Sequence, residues 1–444
     1  VDMPLGLEKS AVCVNRLLGP IFPQIAGWSE KVCAIFEKDF EASGRVRPSF
    51  VTSNQGACGS YFVLDDQEKI VAVVKPGDEE PGAIHGRGDY QLLKEGIEPM
   101  SASCREVLAY RLAPEIVPPT VMMELTSRQF VQEATKRCSV QMFIENSGSM
   151  HSVEKSKRKD FICHLEPTIF IDLWFCNSDR HSRNLLIQRK GETIEGVVPI
   201  DHGCILPNNL VTGALFFWYS LIDPAEKFGF STQEKIDSID LENVRREVSD
   251  LQLGDRVFHG IAATTLLLKK MHKTHSMRQI AMYYIEEPEN WENKKSILFY
   301  ILRMAAVKAG RDFVSPNSGF SQIPLPILSD TLEEVVDFIE GQREILDTQL
   351  QSTGLDKESA LTFFEKRYTN PDQKIHLALE ITRDFFQKRF KAYDGLNPTQ
   401  RDLSEGDSLF KAQWQNEAGT AIHEAFQQRL EHPELEFEQP EELW

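Results

Sequence analysis

Two kinds of hydrophobic periodicity divide this chain. Between residues 50 and 136, short β-branched and apolar runs alternate with polar turns, as in GSYFVLDDQEKIVAVVK at residues 59–75, which predicts two strands joined by a tight turn. From about Ser139 onward most apolar residues recur at helical spacing, interrupted by one further strand pair around Lys190-Gly191. The pattern predicts an α+β protein, with a small β-rich part followed by a mostly helical part.

Composition shifts divide the chain further. A helical pattern covers Ser29 to Glu41, and a Pro/Ser-rich stretch separates two helical regions near residue 320. We therefore predict an N-terminal helical extension (1–48), a β-rich lobe (49–138), a helical lobe (139–311), a linker (312–330) and a helical appendage with an acidic tail (331–444). The helical spacing of Leu332, Val335, Val336 and Ile339 predicts that the appendage either packs on the helical lobe or binds a protein partner.

Charge limits the partners. With 49 basic and 67 acidic residues, the formal net charge is −18, which argues against nucleic acid and, on average, against anionic membranes. One compact basic run, KSKRK at Lys155 to Lys159, predicts either a solvated loop or a docking point for a lipid surface or acidic partner. The apolar run GALFFWYSLI at residues 213–222 is too short to cross a bilayer.

The segment DRHSRN carries the most specific chemical pattern. Asp179 and Asn184 keep the spacing at which protein kinases place the catalytic base and a magnesium ligand on one loop. The following strand pair delivers Asp201 in IDHG, which we interpret as the main magnesium carboxylate, because Mg²⁺ prefers oxygen ligands. Each aspartate alone could equally be a turn residue, so the prediction depends on what else accompanies them.

A lysine and a glycine-containing loop precede that segment in kinase order. Lys75 ends the strand IVAVVK and is our candidate for holding ATP phosphates. Gly59 and Ser60, at the end of SNQGACGS, could bring backbone N–H and hydroxyl donors to phosphate oxygens. The Gly-x-x-Gly formed by Gly56 and Gly59 is also typical of a simple turn between strands. Glu106, on a predicted helix, either pairs with Lys75 or forms a capping box with Ser103.

At this point the chain resembles the phosphatidylinositol 3-/4-kinase superfamily, and within it most closely the type II phosphatidylinositol 4-kinases and the plant gamma class. The stretches that carry the resemblance are GSYFVLDDQEKIVAVVKPGDEEPG, REVLAYRLAPEIVPPTV, SVQMFI, NSDRHSRNLLI and VVPIDHGCILP, within residues 50–290. Arg183 stands where the family usually has a small residue, and the type II cysteine-rich palmitoylation stretch is missing. The resemblance implies a protein-kinase-like two-lobed fold with ATP and Mg²⁺ as cofactors.

The resemblance also implies roles for single residues. Lys75 contacts the phosphates, Glu106 pairs with it, and Asp179 orients the acceptor hydroxyl. The metal ligands are Asn184 and Asp201, and the adenine hinge is formed by the backbone of Gln141, Met142 and Phe143.

The absence of basic residues after Asp201 limits which acceptor the chain could phosphorylate. Residues 202–226 contain no Lys or Arg, whereas an enzyme acting on phosphorylated inositol lipids needs cations there. The acceptor is then either unphosphorylated phosphatidylinositol or not a lipid at all. The resemblance implies phosphatidylinositol, with a Ser/Thr protein kinase as the alternative and a nucleotide-binding pseudokinase scaffold as the third. The cluster Leu215 to Tyr219 is either core or a membrane contact. The expected location is cytoplasmic, with peripheral membrane contact left open.

Overall fold

A computed structural model of the chain describes residues 15–18, 25–41, 46–48, 59–85, 96–132, 135–191, 193–207, 216–284, 296–310, 323–352, 378–379, 382–383, 385–391 and 413–431. The chain divides into two compact units. The first comprises Val1–Asn146 together with Pro199–Gly203, and the second comprises Ser147–Val198 together with Cys204–Trp444. The short return of the chain at Pro199–Gly203 places Asp201 in the first unit, with Lys75 and Glu106.

A six-stranded antiparallel sheet forms the centre of the first unit. Its elements are β1 (Arg16–Leu18), α1 (Ala26–Glu41), β2 (Val46–Pro48), β3 (Tyr61–Leu64), β4 (Ile70–Pro76), α2 (Ala102–Leu112), β5 (Thr120–Thr126) and β6 (Thr135–Met142). The strand order is β1-β5-β6-β4-β3-β2. In this order β4 lies in the middle of the sheet, and Lys75 pairs with Ser139 across the β4–β6 ladder.

The predicted N-terminal extension is in fact part of this sheet. β1 pairs with β5 at one edge, and β2 pairs with β3 at the other. The helix predicted for this region is confirmed as α1, whose Val32 and Phe36 are fully buried. Sequence patterns missed the two edge strands because each is only three residues long, too short to show a period of two.

The sheet supplies one face of the core of the first unit. Alternate residues of β3 and β4 are buried, including Tyr61, Val63, Ala72 and Val74, as expected for strands with one covered face. Both α1 and α2 pack on β5. Between them they bury the apolar surface that fixes the position of the strands on which Lys75 depends.

Helices form most of the second unit. Its elements are α3 (Glu166–Trp174), β7 (Leu185–Lys190), β8 (Thr193–Pro199), α4 (Phe230–Ser238), α5 (Leu241–Asp250), α6 (Gly254–Met271), α7 (Met277–Ala281), α8 (Ile297–Lys308), α9 (Leu325–Ser352) and a last described helix, Gln413–Glu431. β7 and β8 form the predicted strand pair, joined at Gly191, which has a φ of +60° as a tight turn requires.

The helix α6 is the central element of the second unit. It packs against α3, α4, α5, α7, α8 and α9. Two threonines fix its contact with α3, because Thr264 Oγ1 donates to the Trp174 carbonyl at 2.6 Å and Thr265 Oγ1 accepts from Trp174 Nε1 at 2.9 Å. Hydrogen bonds of this kind set the register of two helices that apolar contacts alone would leave free to slide.

The C-terminal helices pack on the rest of the second unit. α9 contacts α6 and α8 through the predicted face, and Leu332, Val335, Val336 and Ile339 are all buried. The helix begins at Leu325, so the last part of the predicted linker 312–330 is helical. Trp414 of the last described helix is fully buried, contacts the tilted ring of Phe338 at a centroid distance of 4.9 Å, and donates from Nε1 to Glu334 Oε1 at 2.7 Å.

The predicted α+β class is confirmed. Within the part of the chain that the structure describes, no helix combines the length and apolar character needed to span a bilayer.

The burial of Trp414 allows a direct test of whether the C-terminal helices stabilise the kinase-like part of the chain. We expect Trp414→Ala to lower the free energy of unfolding by about 3–5 kcal/mol, since it leaves a cavity and an unpaired Glu334 oxygen. Trp414→Phe keeps a ring and loses only the hydrogen bond, so its cost should be about 1 kcal/mol. Urea denaturation of both variants measures the difference, and equal effects would contradict the packing described.

Candidate active site

Lys75 lies at the end of β4 between two carboxylates. Its ammonium group pairs with Glu106 Oε1 of α2 and, at 3.0 Å, with Asp201 Oδ1 of the returning segment. The lysine side chain is 22% exposed and that of Glu106 only 3%. Three segments distant in the sequence therefore meet at one cation, as the predicted pairing of Lys75 with Glu106 requires.

The contacts of Glu106 decide between the two roles considered for it, the ion pair with Lys75 and the capping box with Ser103. Its second oxygen accepts from the His202 backbone N–H at 2.9 Å. α2 begins at Ala102, with Ser101 as its N-cap residue, so Ser103 already lies inside the helix. The ion pair is confirmed and the capping box is wrong.

Glu80 supplies the cap that Ser103 does not. Its carboxylate accepts from the backbone N–H groups of Ala102 at 2.9 Å and Ser103 at 2.6 Å. These are two of the donors that every helix start leaves without a partner inside the helix. Gly203 packs against the same turn, where a Cβ would come within 3.1 Å of the Ala102 Cβ. Sequence reasoning missed Glu80 because a cap from 22 residues away leaves no local pattern.

Asp201 combines an unusual backbone with a strongly acidic carboxyl group. Its φ is +59°, a left-handed conformation that costs a non-glycine residue energy and that is concentrated at functional sites. The charge of Lys75 lowers the pKa of Asp201 from 3.8 to about 2. Burial raises the pKa of Glu106, and Lys75 opposes that shift. Asp201 is thus ionised at any physiological pH, and its side chain is 46% exposed.

The glycine-containing loop departs from its prediction. The Gly59 N–H donates to the Glu79 carbonyl at 3.1 Å, so it is used within the protein and not by a phosphate. The need for glycine is steric, since a Cβ would come within 2.8 Å of the Glu79 Cβ. Ser60 follows in a half-buried position, and residues 53–58 of the loop lie outside the described residues.

Glu79 itself is a buried anchor that the sequence did not reveal. Its side chain is fully buried and accepts from Tyr61 Oη at 2.6 Å, Lys136 Nζ at 2.9 Å and the Val131 N–H at 2.9 Å. These bonds join β3, β6 and the turn after β4, on which the Gly59 backbone also depends. The buried ion pair between Glu79 and Lys136 stabilises the sheet. Glu79 needs these partners because a buried carboxylate is tolerated only when it is paired.

The backbone of the predicted hinge lies at the end of β6. Gln141 and Met142 are the last residues of β6, and Gln141 pairs with Val73 in the β4–β6 ladder. The N–H groups of Met142 and Phe143 donate to the carbonyls of Pro119 and Val71, at 2.8 and 3.1 Å. Both donors are therefore used within the protein, and the adenine contact at this backbone stays a prediction.

The second unit holds the DRHSRN loop in a defined conformation. The Asp179 N–H donates to Asn177 Oδ1 at 2.9 Å, and the Asn184 side-chain amide donates to the Asp179 carbonyl at 3.0 Å. The second bond fixes the orientation of the Asn184 amide, whose nitrogen bonds to protein and whose oxygen is the atom suited to a metal. Asp179 and Asn184 are thus joined directly within one loop, and their roles as base and metal ligand stay predictions.

A buried ion pair supports this loop. Arg180 Nε donates to Asp172 of α3 at 2.9 and 3.1 Å, and Arg180 Nη1 donates to the Asn184 carbonyl at 2.9 Å. Trp218 Nε1 donates to the same aspartate at 3.0 Å. Burial raises the pKa of Asp172, and Arg180 opposes this shift. The predicted motif contained Arg180, but its partners were invisible from spacing alone.

The aromatic cluster considered as core or membrane contact is buried only in part. Phe216 and Trp218 are fully buried and stack with ring centroids 4.8 Å apart, which confirms the core interpretation for these two. Phe217 and Tyr219 are half-buried. Leu215 lies outside the described residues.

Comparison with known proteins identifies the domain that these loops belong to. The sequence model of the family described as "Phosphatidylinositol 3- and 4-kinase" matches residues 93–240. Over these residues the chain is similar to the phosphatidylinositol 3- and 4-kinase family. The match confirms the predicted resemblance and the kinase-like fold, and it supports a phosphotransferase.

Curated relatives extend the similarity beyond the kinase domain. The chain is 30% identical over 284 residues to Phosphatidylinositol 4-kinase gamma 4 of Oryza sativa subsp. japonica, a match covering 56% of this chain and 48% of the relative. It is 31% identical over 261 residues to Phosphatidylinositol 4-kinase gamma 3 of Arabidopsis thaliana, covering 50% and 44%. The chain spans about half the length of the curated relatives it matches.

The first prediction for the kinase domain concerns the charge balance at Lys75. Lys75→Met leaves the buried Glu106 carboxylate without its cation and should lower the free energy of unfolding by about 3 kcal/mol near neutral pH. It should also raise the pKa of Asp201 from about 2 towards 3.8. Because that pKa is lowered in the folded protein, the contribution of Asp201 to stability is complete above 3.8 and is lost as the pH falls towards 2.

A double variant provides the control. In Lys75→Met/Glu106→Gln no buried carboxylate remains uncompensated, so part of the lost stability should return. Urea denaturation gives the four free energies of the cycle, and NMR titration of the carboxyl carbons gives the Asp201 pKa. Strictly additive losses would show that Lys75 and Glu106 do not interact.

The second prediction concerns Glu80. Glu80→Ala should lower the free energy of unfolding by about 1–2 kcal/mol, since two helix N–H groups lose their acceptor. Glu80→Gln keeps one acceptor oxygen and should cost about half as much. The local measurement is hydrogen exchange at the Ala102 and Ser103 amides, which should accelerate in the alanine variant; unchanged exchange at both amides would refute the cap.

Proposed function

We propose that this chain transfers the γ-phosphate of ATP to a hydroxyl group of phosphatidylinositol. The observation that carries the proposal is the placement of Lys75 between Glu106 and Asp201, in a chain that matches the phosphatidylinositol 3- and 4-kinase family. The relatives support the acceptor, since they are named phosphatidylinositol 4-kinases. The ring position that receives the phosphate is taken from those names and is part of the proposal.

Lys75 is the proposed contact for the ATP phosphates. Its ammonium group is held in place by Glu106, which is itself fixed by the His202 N–H. A positioned cation stabilises the negative charge of the transferring phosphoryl group without having to reorganise during the reaction. The side chain is partly exposed, so the cation can reach a bound phosphate.

The residues present fit Mg²⁺. Among the described residues, no three His, Cys, Asp or Glu side chains gather at a metal-binding distance, but Mg²⁺ needs only one or two protein ligands when phosphates and waters complete its shell. Asp201 is ionised and half-exposed, as such a ligand must be. Asn184 is the second proposed ligand, through its amide oxygen. When bound, the ion neutralises phosphate charge.

Asp179 is the proposed catalytic residue for the acceptor. Its carboxylate would orient the attacking hydroxyl and receive the hydroxyl proton. The hydroxyl oxygen forms a bond to the γ-phosphorus while the bond from that phosphorus to the bridging oxygen of ADP breaks, and ADP leaves with both electrons. Hydrogen bonds of Asn177, Asn184 and the buried Arg180 keep the loop rigid and limit the motion of Asp179. When catalysis is positional, holding the reacting groups in place is the main source of the rate enhancement.

The second candidate is a Ser/Thr protein kinase of the same fold. The net charge of −18 favours it, since an acidic protein is repelled on average by anionic membranes. A cytoplasmic location with peripheral membrane contact is part of the lipid proposal. A protein partner bound through the C-terminal helices would use surfaces other than the buried face of α9.

The prediction that tests the function compares acceptors directly. We expect the purified protein to transfer labelled phosphate from ATP to phosphatidylinositol vesicles in the presence of Mg²⁺, and not to generic protein acceptors or to itself. Asp179→Ala should reduce transfer at least 100-fold, with ATP affinity and melting temperature unchanged. The matched control is Asp330→Ala, which removes an exposed carboxylate of α9 and should leave the rate unaltered.

The other outcomes are equally informative. Transfer to protein acceptors alone would replace the lipid proposal with the protein-kinase alternative. ATP binding without any transfer would favour a pseudokinase scaffold. Undiminished transfer by Asp179→Ala would remove Asp179 from the mechanism.

A further inference from the structure

The short turn Phe217–Ser220 presents an aromatic surface beside the DRHSRN loop. Phe216 and Trp218 point into the core, whereas Phe217 is half-buried. The Phe217 N–H donates to the Arg180 carbonyl at 3.1 Å, and Arg180 directly follows Asp179. The backbone of Phe217 is therefore hydrogen-bonded to the backbone of the residue next to the proposed catalytic aspartate.

Arg158 covers this ring. The guanidinium carbon lies 5.1 Å from the centroid of the Phe217 ring, and Nε donates to the Val153 carbonyl at 3.2 Å. The cation–π contact with this ring and the backbone hydrogen bond both act on the guanidinium group and restrict its motion. Within the described residues no partner is found for the two terminal nitrogens, which carry four N–H donors.

A second connection places Arg158 beside the same loop. The turn Met150–Ser152, immediately before Val153, contacts the turn Ser182–Asn184. One such contact is between His151 Nδ1 and Ser182 Oγ, at 3.4 Å. Two independent chains of contacts, one through Phe217 and one through this turn, thus join Arg158 to the segment that bears Asp179 and Asn184.

Arg158 supplies a positive charge beside the DRHSRN loop. The segment after Asp201, where such a charge would be expected, has none. Residues 202–226 contain no Lys or Arg, yet phosphatidylinositol carries a phosphodiester next to the ring that must meet Asp179. A guanidinium group that lies over an aromatic ring is well suited to bind a phosphate, because it can donate two parallel hydrogen bonds. Lysine cannot reproduce this geometry.

We propose that Arg158 is a substrate-binding residue that holds the phosphodiester of the phosphatidylinositol headgroup, with the Phe217 ring as its support. This inference rests on the proposed function and adds to it. It also gives the basic run Lys155 to Lys159 a more specific role. One of its cations recognises a headgroup phosphate, so the run does not act only as a diffuse electrostatic contact with a membrane surface.

The test separates a phosphate contact from general attraction to a membrane. Binding of soluble glycerophosphoinositol, which has the phosphodiester but no acyl chains, is measured by calorimetry and compared with binding of free myo-inositol. We expect Arg158→Gln to weaken glycerophosphoinositol binding about 10-fold to 100-fold and to leave myo-inositol binding and ATP affinity unchanged. Arg158→Lys should recover only part of the loss, and Phe217→Leu should give a smaller loss of the same kind.

Lys157→Gln is the matched control. Lys157 is exposed and pairs with Glu154 at 3.3 Å, so this variant makes the same change of charge one residue away and should bind glycerophosphoinositol like the unmodified protein. On phosphatidylinositol vesicles, Arg158→Gln should raise KM for the lipid with little change in kcat. Equal effects of the two variants, or unaltered glycerophosphoinositol binding by Arg158→Gln at an unchanged melting temperature, would overturn the inference.

The same measurements distinguish this inference from the proposed function. If the unmodified protein binds glycerophosphoinositol through Arg158 but transfers no phosphate to phosphatidylinositol, the proposed function fails while the binding site stands. If it phosphorylates the lipid and Arg158→Gln has the same KM, the binding site fails and the function stands. Binding of neither probe together with no lipid transfer would refute both.

Discussion

The first unit depends on one shared cation. Lys75 meets two carboxylates, and only because it does so can Glu106 remain ionised in an almost fully buried position. The same contact holds Asp201 in a left-handed backbone conformation that would otherwise be unfavourable. A central strand, a helix and the segment returning from the second unit are therefore joined by electrostatics, and the apolar packing of α1 and α2 on β5 fixes the frame in which this can occur.

The second unit uses a related arrangement. Asp172 and Arg180 form a buried pair with Trp218, and Arg180 Nη1 donates to the Asn184 carbonyl of the DRHSRN loop. The buried charges have a structural role, whereas Asp179 is half-buried. The Arg180 carbonyl also accepts from the Phe217 N–H, so the DRHSRN loop and the turn that contains Phe217 share one support.

Two of the residues expected at the nucleotide make backbone hydrogen bonds within the protein. The N–H groups of Gly59 and Phe143 both donate hydrogen bonds to backbone carbonyls of the protein. These carbonyls belong to strands or turns that require a donor. Backbone hydrogen bonds must be satisfied within the sheet before any can serve a ligand. The pattern of apolar residues shows where a strand lies but not at which residue its ladder ends, which is the information that a hinge assignment needs.

The sequence by itself determined the strands around Lys75, the helix that bears Glu106 and the spacing of Asp179 and Asn184, because each is expressed within a few neighbouring residues. It also placed Asp201 after a strand pair, and the family resemblance followed from these motifs. Only the tertiary structure decided that Glu106 pairs with Lys75, that Glu80 caps the helix and that Arg158 lies on Phe217. These partners are separated by between 22 and 59 residues of chain, and contacts formed across such distances depend on how whole elements pack, for which no local periodicity carries a signal.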